Sequence, residues 1–95
     1  MKLLWTGAAQ ADRGAIRDYI AERDIGAALA LDELISERSS RLSSHPAMGR
    51  PGRVAETREL VIHPNYILVY DVTAGSIRVL RILHAAQQWP PVEGS

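Results

Sequence analysis

The chain has 95 residues, 46% hydrophobic and 23% charged, with 11 basic and 11 acidic groups that cancel; this indicates one globular domain spanning 1–95, able to bury roughly 65% of its unfolded surface. It contains no cysteine, which excludes disulfides, thiolate metal sites and thiol nucleophiles and fits a reducing cytoplasm. No apolar run approaches the ~20 residues of a membrane helix, and the opening MKLLWTGAAQ turns polar too soon for a signal peptide, so a cytoplasmic location away from membranes is expected.

In chain order, Lys2–Thr6 reads as a short strand. From Ala8 to Arg23 the pattern is helical: Ala9, Ile16, Tyr19 and Ile20 share a face, with Asp12, Arg17, Asp18 and Glu22 mostly away from it. Asp24 is placed to cap a second helix over Ile25–Ser43, where Ala28, Leu31, Ile35 and Leu42 form one stripe. So brief a link predicts an antiparallel helical hairpin. The stretch Ser43–Arg53 is a Gly/Pro loop made basic by Arg50 and Arg53. Three strands follow, Glu56–His63, Tyr66–Val72 and Ile77–Ala85, joined by short turns as an antiparallel meander. The order β-α-α-β-β-β implies an α+β fold, a helical hairpin on one face of a small antiparallel sheet.

Alternation sorts the strand side chains. Tyr66, Leu68, Tyr70 and Val72 oppose Ile67, Val69 and Asp71. Ile77, Val79, Arg81 and Leu83 oppose Arg78, Leu80, Ile82 and His84. With the helices on the Tyr66/Tyr70 side, the face bearing Ile67, Val69, Leu80 and Ile82 is left apolar with no element of the chain to cover it, which points to a partner chain. Charge is uneven as well. Up to Glu37 there are four basic and seven acidic residues, and from Arg38 onward seven arginines and four acids. A basic face of this kind suits phosphates or an acidic partner.

From Gly49 to Pro90 the stretches GRPGRVAETRELVIHPNYILVYDV and IRVLRILHAAQQWP resemble the RelE/ParE superfamily of toxins from bacterial type II toxin–antitoxin modules. ADRGAIRDYIAERD and AALALDELI extend the likeness over nearly the whole chain. The resemblance implies a small growth-inhibiting toxin that needs no cofactor and no metal and is neutralised by a cognate antitoxin. Two targets are known in the superfamily: ParE-type members poison DNA gyrase, and RelE-type members cut mRNA on the translating ribosome. GRPGRVAETRE and VLRILHAAQ are similar to the ParE pattern, with Glu56 standing where a glycine is usual. HAAQQWP is similar to a plasmid-stabilisation subgroup. Nuclease members commonly carry an arginine at the position of Ile67, so the likeness favours gyrase, with the ribosome-dependent endonuclease as the alternative.

Metal-free RNA cleavage needs a base, an acid and cations for the phosphorane charge. His84 is the acid–base candidate, with Arg58 and Arg78 as cations. Arg78 and His84, six residues apart, are expected on one strand face, and Arg81 on the other unless a bulge intervenes. Arg50 and Arg53 in their loop, with Gln87, Gln88 and Trp89 after the last strand, are the candidates for target contact. Ile67, Val69, Leu80 and Ile82 are the candidates for antitoxin contact.

Overall fold

The computed structural model describes residues 1–91; the last four positions of the expected 1–95 domain lie outside the described residues. The elements are β1 (Lys2–Trp5), α1 (Gly7–Ala21), α2 (Ile25–Ser40) with a 3₁₀ turn at Arg41–Ser43, β2 (Arg50–Pro51), β3 (Arg58–His63), β4 (Tyr66–Thr73) and β5 (Ser76–His84). The strands form one sheet in the order β1-β5-β4-β3-β2. The three long strands are the expected meander, but the sheet is mixed. β1 lies parallel to β5, Lys2 opposite Ser76 and Trp5 opposite Val79. The two-residue β2 pairs with the start of β3. Its Pro51 is tolerated because an edge strand needs no inward donor there.

Both helices begin on side-chain caps. Thr6, assigned from sequence to the first strand, instead caps α1, its hydroxyl accepting the Ala9 N–H at 3.1 Å. The Asp24 carboxylate accepts the Ala27 N–H at 3.0 Å and starts α2 as expected. Such a cap contributes about 1 kcal/mol over alanine. The stripe Ala28, Leu31, Ile35 and Leu42 is buried throughout, and α2 packs on α1 and on β3. Leu60, Ile62, Leu68, Tyr70, Ile77 and Val79 meet it from the sheet.

One irregularity decides which side chains share a face. Tyr70 pairs with Val79 but Val69 pairs with Arg81, so Leu80 is the extra residue of a bulge in β5. A bulge shifts alternation by one residue. Beyond it Ile82 points into the helix-side core, only 2% exposed, and His84 stands opposite Tyr66. Arg81 and Leu83 stand opposite Val69 and Ile67. Two expectations are thereby corrected. Ile82 does not share a face with Ile67 and Val69, and Arg78 does not share one with His84.

β1 ends at Trp5, which leaves the outer edge of β5 unpaired beyond Val79. The chain caps that edge itself. The Thr6 N–H and hydroxyl both donate to the Val79 carbonyl, at 3.1 and 2.9 Å. The Asp12 carboxylate accepts the Ile82 N–H at 3.0 Å.

Candidate functional site

The sheet face opposite the helices has an apolar floor and a charged rim. Ile67, Val69 and Leu83 make the floor, all buried. At one end of it stands Glu59, opposite Val69 in the ladder and only 2% exposed. A buried carboxylate must be paired and hydrogen-bonded, and Glu59 is. It accepts the Arg53 backbone N–H at 2.9 Å and an Arg50 guanidinium N–H at 3.3 Å, with the Arg53 guanidinium 3.5 Å away. This pins the basic loop over the sheet. At the next strand Asp71 takes a bidentate pair from Arg78, at 2.9 and 2.6 Å, and its carboxylate holds the exposed guanidinium above the ordinary arginine range. Arg81 is held the same way by Asp12 of α1, at 2.7 and 3.1 Å. Two arginines are therefore bound to Glu59, one to Asp71 and one to Asp12. Four cations against three carboxylates leave one net positive charge on this rim.

The loop between α2 and β3 is anchored by Tyr70. Its buried hydroxyl accepts the Gly49 N–H at 2.9 Å and donates to the Pro46 carbonyl at 2.7 Å. Arg58 belongs to this anchorage too, since its guanidinium donates to the Gly49 carbonyl at 2.8 Å. Further along, Glu56 holds φ +67°, a left-handed conformation that favours glycine. That is the physical reason a glycine is usual there.

His84 sits elsewhere, on the helix side at the far end of β5. It lines an open hollow of about 420 Å³ with Asp12, Ile16, Tyr19, Tyr66 and Gln87. Its ring meets Tyr66 edge-on, with centroids 5.4 Å apart, and its Nδ1 accepts the Ala86 N–H at 3.1 Å. His84, Arg58 and Arg78 are not brought together. Tyr66, opposite His84, is four residues from Tyr70, opposite Arg58; at ~3.3 Å per residue that is roughly 13 Å along the strand. Gln87 and Gln88 are exposed. Trp89 folds back so that the Arg81 guanidinium lies 5.6 Å from its ring centroid. Glu59 and Asp12 shape this face, and neither is among the candidate site residues of the sequence. The available signal for Glu59 was its place on the alternate positions shared with Val61, beside a loop with two arginines.

Among the described residues no cluster of His, Cys, Asp or Glu is arranged to hold a metal ion, and no helix is long and apolar enough to cross a membrane.

A helical hairpin on a five-stranded sheet, with an arginine-rimmed second face, defines a small α+β domain. A chain of the chromosomal ParDE toxin–antitoxin system of P. aeruginosa superposes with a TM-score of 0.77 at 31% identity, covering 88% of this chain and 95% of that one. In sequence the chain is 37% identical over 92 residues to Y4kP of Sinorhizobium fredii, named as a toxin, covering 96% of this chain and 95% of that protein. It is also 37% identical over 86 residues to toxin RelE2 of Caulobacter vibrioides, covering 90% of this chain and 97% of that one. Residues 3–89 match the family described as ParE toxin of type II toxin–antitoxin system, parDE. The chain belongs to this family, within the RelE/ParE superfamily, and is the toxin of a type II module whose partner is an antitoxin.

Proposed function

We propose that this toxin arrests growth by binding DNA gyrase, and that its antitoxin neutralises it on the second sheet face. The observation that carries the reading is Ile67. It is aliphatic and buried in the floor, at the position where nuclease members of the superfamily commonly have an arginine. The other cationic candidates support the same view. Arg58 is committed to a backbone carbonyl and Arg78 to Asp71, and neither approaches His84. A phosphorane needs its cations within about 3 Å of the developing charge. In this reading Arg50 and Arg53, with Gln87, Gln88 and Trp89, are the target contacts. Antitoxin, target and toxin then meet in the cytoplasm.

Purified toxin at micromolar concentration should inhibit gyrase supercoiling or trap cleaved DNA, and His84→Ala should leave that inhibition unchanged. Undiminished supercoiling at saturating toxin would end the gyrase reading.

A second reading, a ribosome-dependent mRNA endonuclease, is favoured by one observation. The His84 ring is exposed beside Tyr66, with Nδ1 occupied by the Ala86 N–H, so Nε2 is left to face a ligand. It requires codon-phased cuts in translated mRNA soon after induction, abolished by His84→Ala. Intact mRNA in arrested cells excludes it.

A further inference from the structure

The chain has two tryptophans, and each faces an arginine clamped by a helix carboxylate. Arg13 of α1 donates through Nε and Nη2 to Asp32 of α2, at 2.7 and 3.1 Å, and its guanidinium lies 4.9 Å from the Trp5 ring centroid. Arg81 of β5 donates through the same two nitrogens to Asp12 of α1, also at 2.7 and 3.1 Å, and lies 5.6 Å from the Trp89 centroid. Both separations fall within the ~6 Å reach of a cation–π contact. A guanidinium is a rigid planar fork. A carboxylate that holds one edge of it in two bonds therefore fixes the plane it presents to the ring.

The two rings differ in what else holds them. Trp5 belongs to β1, opposite Val79 in the ladder, and packs against the core. Trp89 lies beyond the sheet. Ala85 N–H bonds to the Asn65 carbonyl at 2.7 Å and Gln87 N–H to the His84 carbonyl at 2.8 Å. Among the described residues those are the last backbone hydrogen bonds of the chain. The indole N–H of Trp89 is buried with no acceptor, although a buried tryptophan N–H usually finds one, so no hydrogen bond of the ring sets its place. Trp89 is nonetheless half-buried, with the Arg81 guanidinium facing it. Arg81 in turn takes its orientation from a carboxylate 69 positions away in the chain. That carboxylate also accepts the Ile82 N–H at 3.0 Å, so helix, strand edge and tail meet at Asp12.

We infer that Asp12 is a positioning residue for target contact: through Arg81 it fixes the place of Trp89, and with it the direction in which Gln87 and Gln88 are presented, without touching the target itself. The inference rests on the reading of Gln87, Gln88 and Trp89 as target contacts, and holds for either target. Asp32 and Arg13 are a matched control in the same fold. Their side chains are 27 and 21% exposed, against 18 and 30% for Asp12 and Arg81, but the ring they face is already fixed by β1.

The test compares Asp12→Asn with Asp32→Asn in the full-length toxin. Asparagine keeps an acceptor for one N–H and removes the charge that clamps the fork. Fluorine NMR of fluorotryptophan-labelled protein gives one resonance per tryptophan, assigned with Trp89→Phe. Asp12→Asn should shift or broaden the Trp89 resonance and leave Trp5 in place, whereas Asp32→Asn should leave Trp89 unmoved. On induction without antitoxin, the cellular level of toxin that arrests growth should rise about fivefold for Asp12→Asn, the factor to which loss of one partly exposed cation–π contact corresponds, and stay at the wild-type level for Asp32→Asn. Arg81→Lys, which keeps the charge and loses the planar face, should behave as Asp12→Asn does. Added to Trp89→Ala, Asp12→Asn should cost no further toxicity, a non-additivity that a merely structural loss does not produce. An unmoved Trp89 resonance in folded Asp12→Asn overturns the inference. So does wild-type toxicity of that variant, or an equal loss in Asp32→Asn. Should Asp12→Asn fail to fold by circular dichroism, Arg81→Lys decides on the same two readouts. Growth arrest is scored whatever the target, so undiminished gyrase supercoiling refutes the gyrase reading alone. Full toxicity of Trp89→Ala refutes the target-contact reading and reduces Asp12 to a structural clamp.

Discussion

Tyr70→Phe isolates the anchor that holds the arginine loop over the sheet. Tyr70 is fully buried, and phenylalanine keeps its ring, so the change creates almost no cavity. What it removes is one hydroxyl with two bonds, from the Gly49 N–H at 2.9 Å and to the Pro46 carbonyl at 2.7 Å. Gly49 is buried, and an unsatisfied buried donor costs about 1–3 kcal/mol. Pro46 is only partly buried, so its carbonyl recovers a water and loses less, about 0.5 kcal/mol. The expected loss is about 2 kcal/mol, or roughly 8–16 °C in Tm for a domain of this size. Urea unfolding followed by circular dichroism should show the midpoint fall with an unchanged m-value. Hydrogen exchange should show the Gly49 amide losing protection before β4 does. A loss below about 0.5 kcal/mol, within the ordinary scatter of surface changes, would refute the anchor. Gly49→Ala probes the same contact from the other side, because a Cβ there would stand 2.7 Å from Tyr70 Cε1 and 2.9 Å from the Glu59 carbonyl oxygen. It should destabilise at least as much.

Ile82→Ala should cost about 2–4 kcal/mol of stability while the folded variant binds antitoxin as wild type does; a loss of affinity with stability intact would return Ile82 to the second face and contradict the bulge. Glu56→Gly should raise stability by about 0.5–1 kcal/mol, because a left-handed residue with a Cβ is strained by about 1–2 kcal/mol and glycine gives part of that back in unfolded-chain entropy; an unchanged urea midpoint would count against strain at φ +67°. Asp32→Asn tests the link between the helices, where Arg13 donates to Asp32 at 2.7 and 3.1 Å. The Arg13 hydrogen bond holds the Asp32 carboxyl below the usual carboxylate range against an opposing effect of burial. Its stabilisation is therefore present above the unfolded value of about 3.9 and is lost as pH falls through the lower folded value. The variant should be weaker than wild type by about 1 kcal/mol at neutral pH and converge with it in acid; a gap that stays constant down to that range would exclude the linkage.

The helical hairpin was legible because its signals are local. Asp24 caps, and the Ala28–Leu31–Ile35–Leu42 stripe repeats at helical spacing whatever surrounds it. The meander was legible for the same reason, from short turns between apolar runs. The bulge was not. RVLRIL is apolar or arginine at every position, so alternation reads equally well with Leu80 in or out of register. Only the pairing with β4 and the Asp12 carboxylate at the Ile82 N–H decide it. That single residue moved Ile82 from the expected partner surface to the core, and separated Arg78 from His84. The parallel pairing of β1 was hidden too, since it joins residues more than seventy positions apart and leaves no mark in either segment. Arg58 could be named as a cation from sequence, but its commitment to the Gly49 carbonyl depends on where the loop returns.

How the rim arginines are paired bears on what the face does. Arg50, Arg53, Arg78 and Arg81 each stand within 4 Å of a carboxylate of the same chain. A guanidinium bound by a carboxylate 2.6 Å away, as Arg78 is, presents little uncompensated charge to a developing phosphorane, and catalysis needs that charge preorganised before the substrate arrives. Binding makes no such demand. The arginines of these pairs are partly exposed while Glu59, Asp71 and Asp12 are largely buried, so an incoming carboxylate can join a resident pair but not displace it, because a buried carboxylate left unpaired is costly. The floor beneath supplies affinity through apolar burial at about 25 cal/mol per Å². Asp71 and Glu59 thus keep the arginines aligned with part of each guanidinium still exposed. Arg78→Ala then separates the two roles: in a binding face it lowers the antitoxin on-rate a few-fold and flattens its salt dependence, because one steering charge is gone. A drop of several orders of magnitude in toxicity with unchanged antitoxin kinetics would instead mark Arg78 as a catalytic cation and refute a binding role.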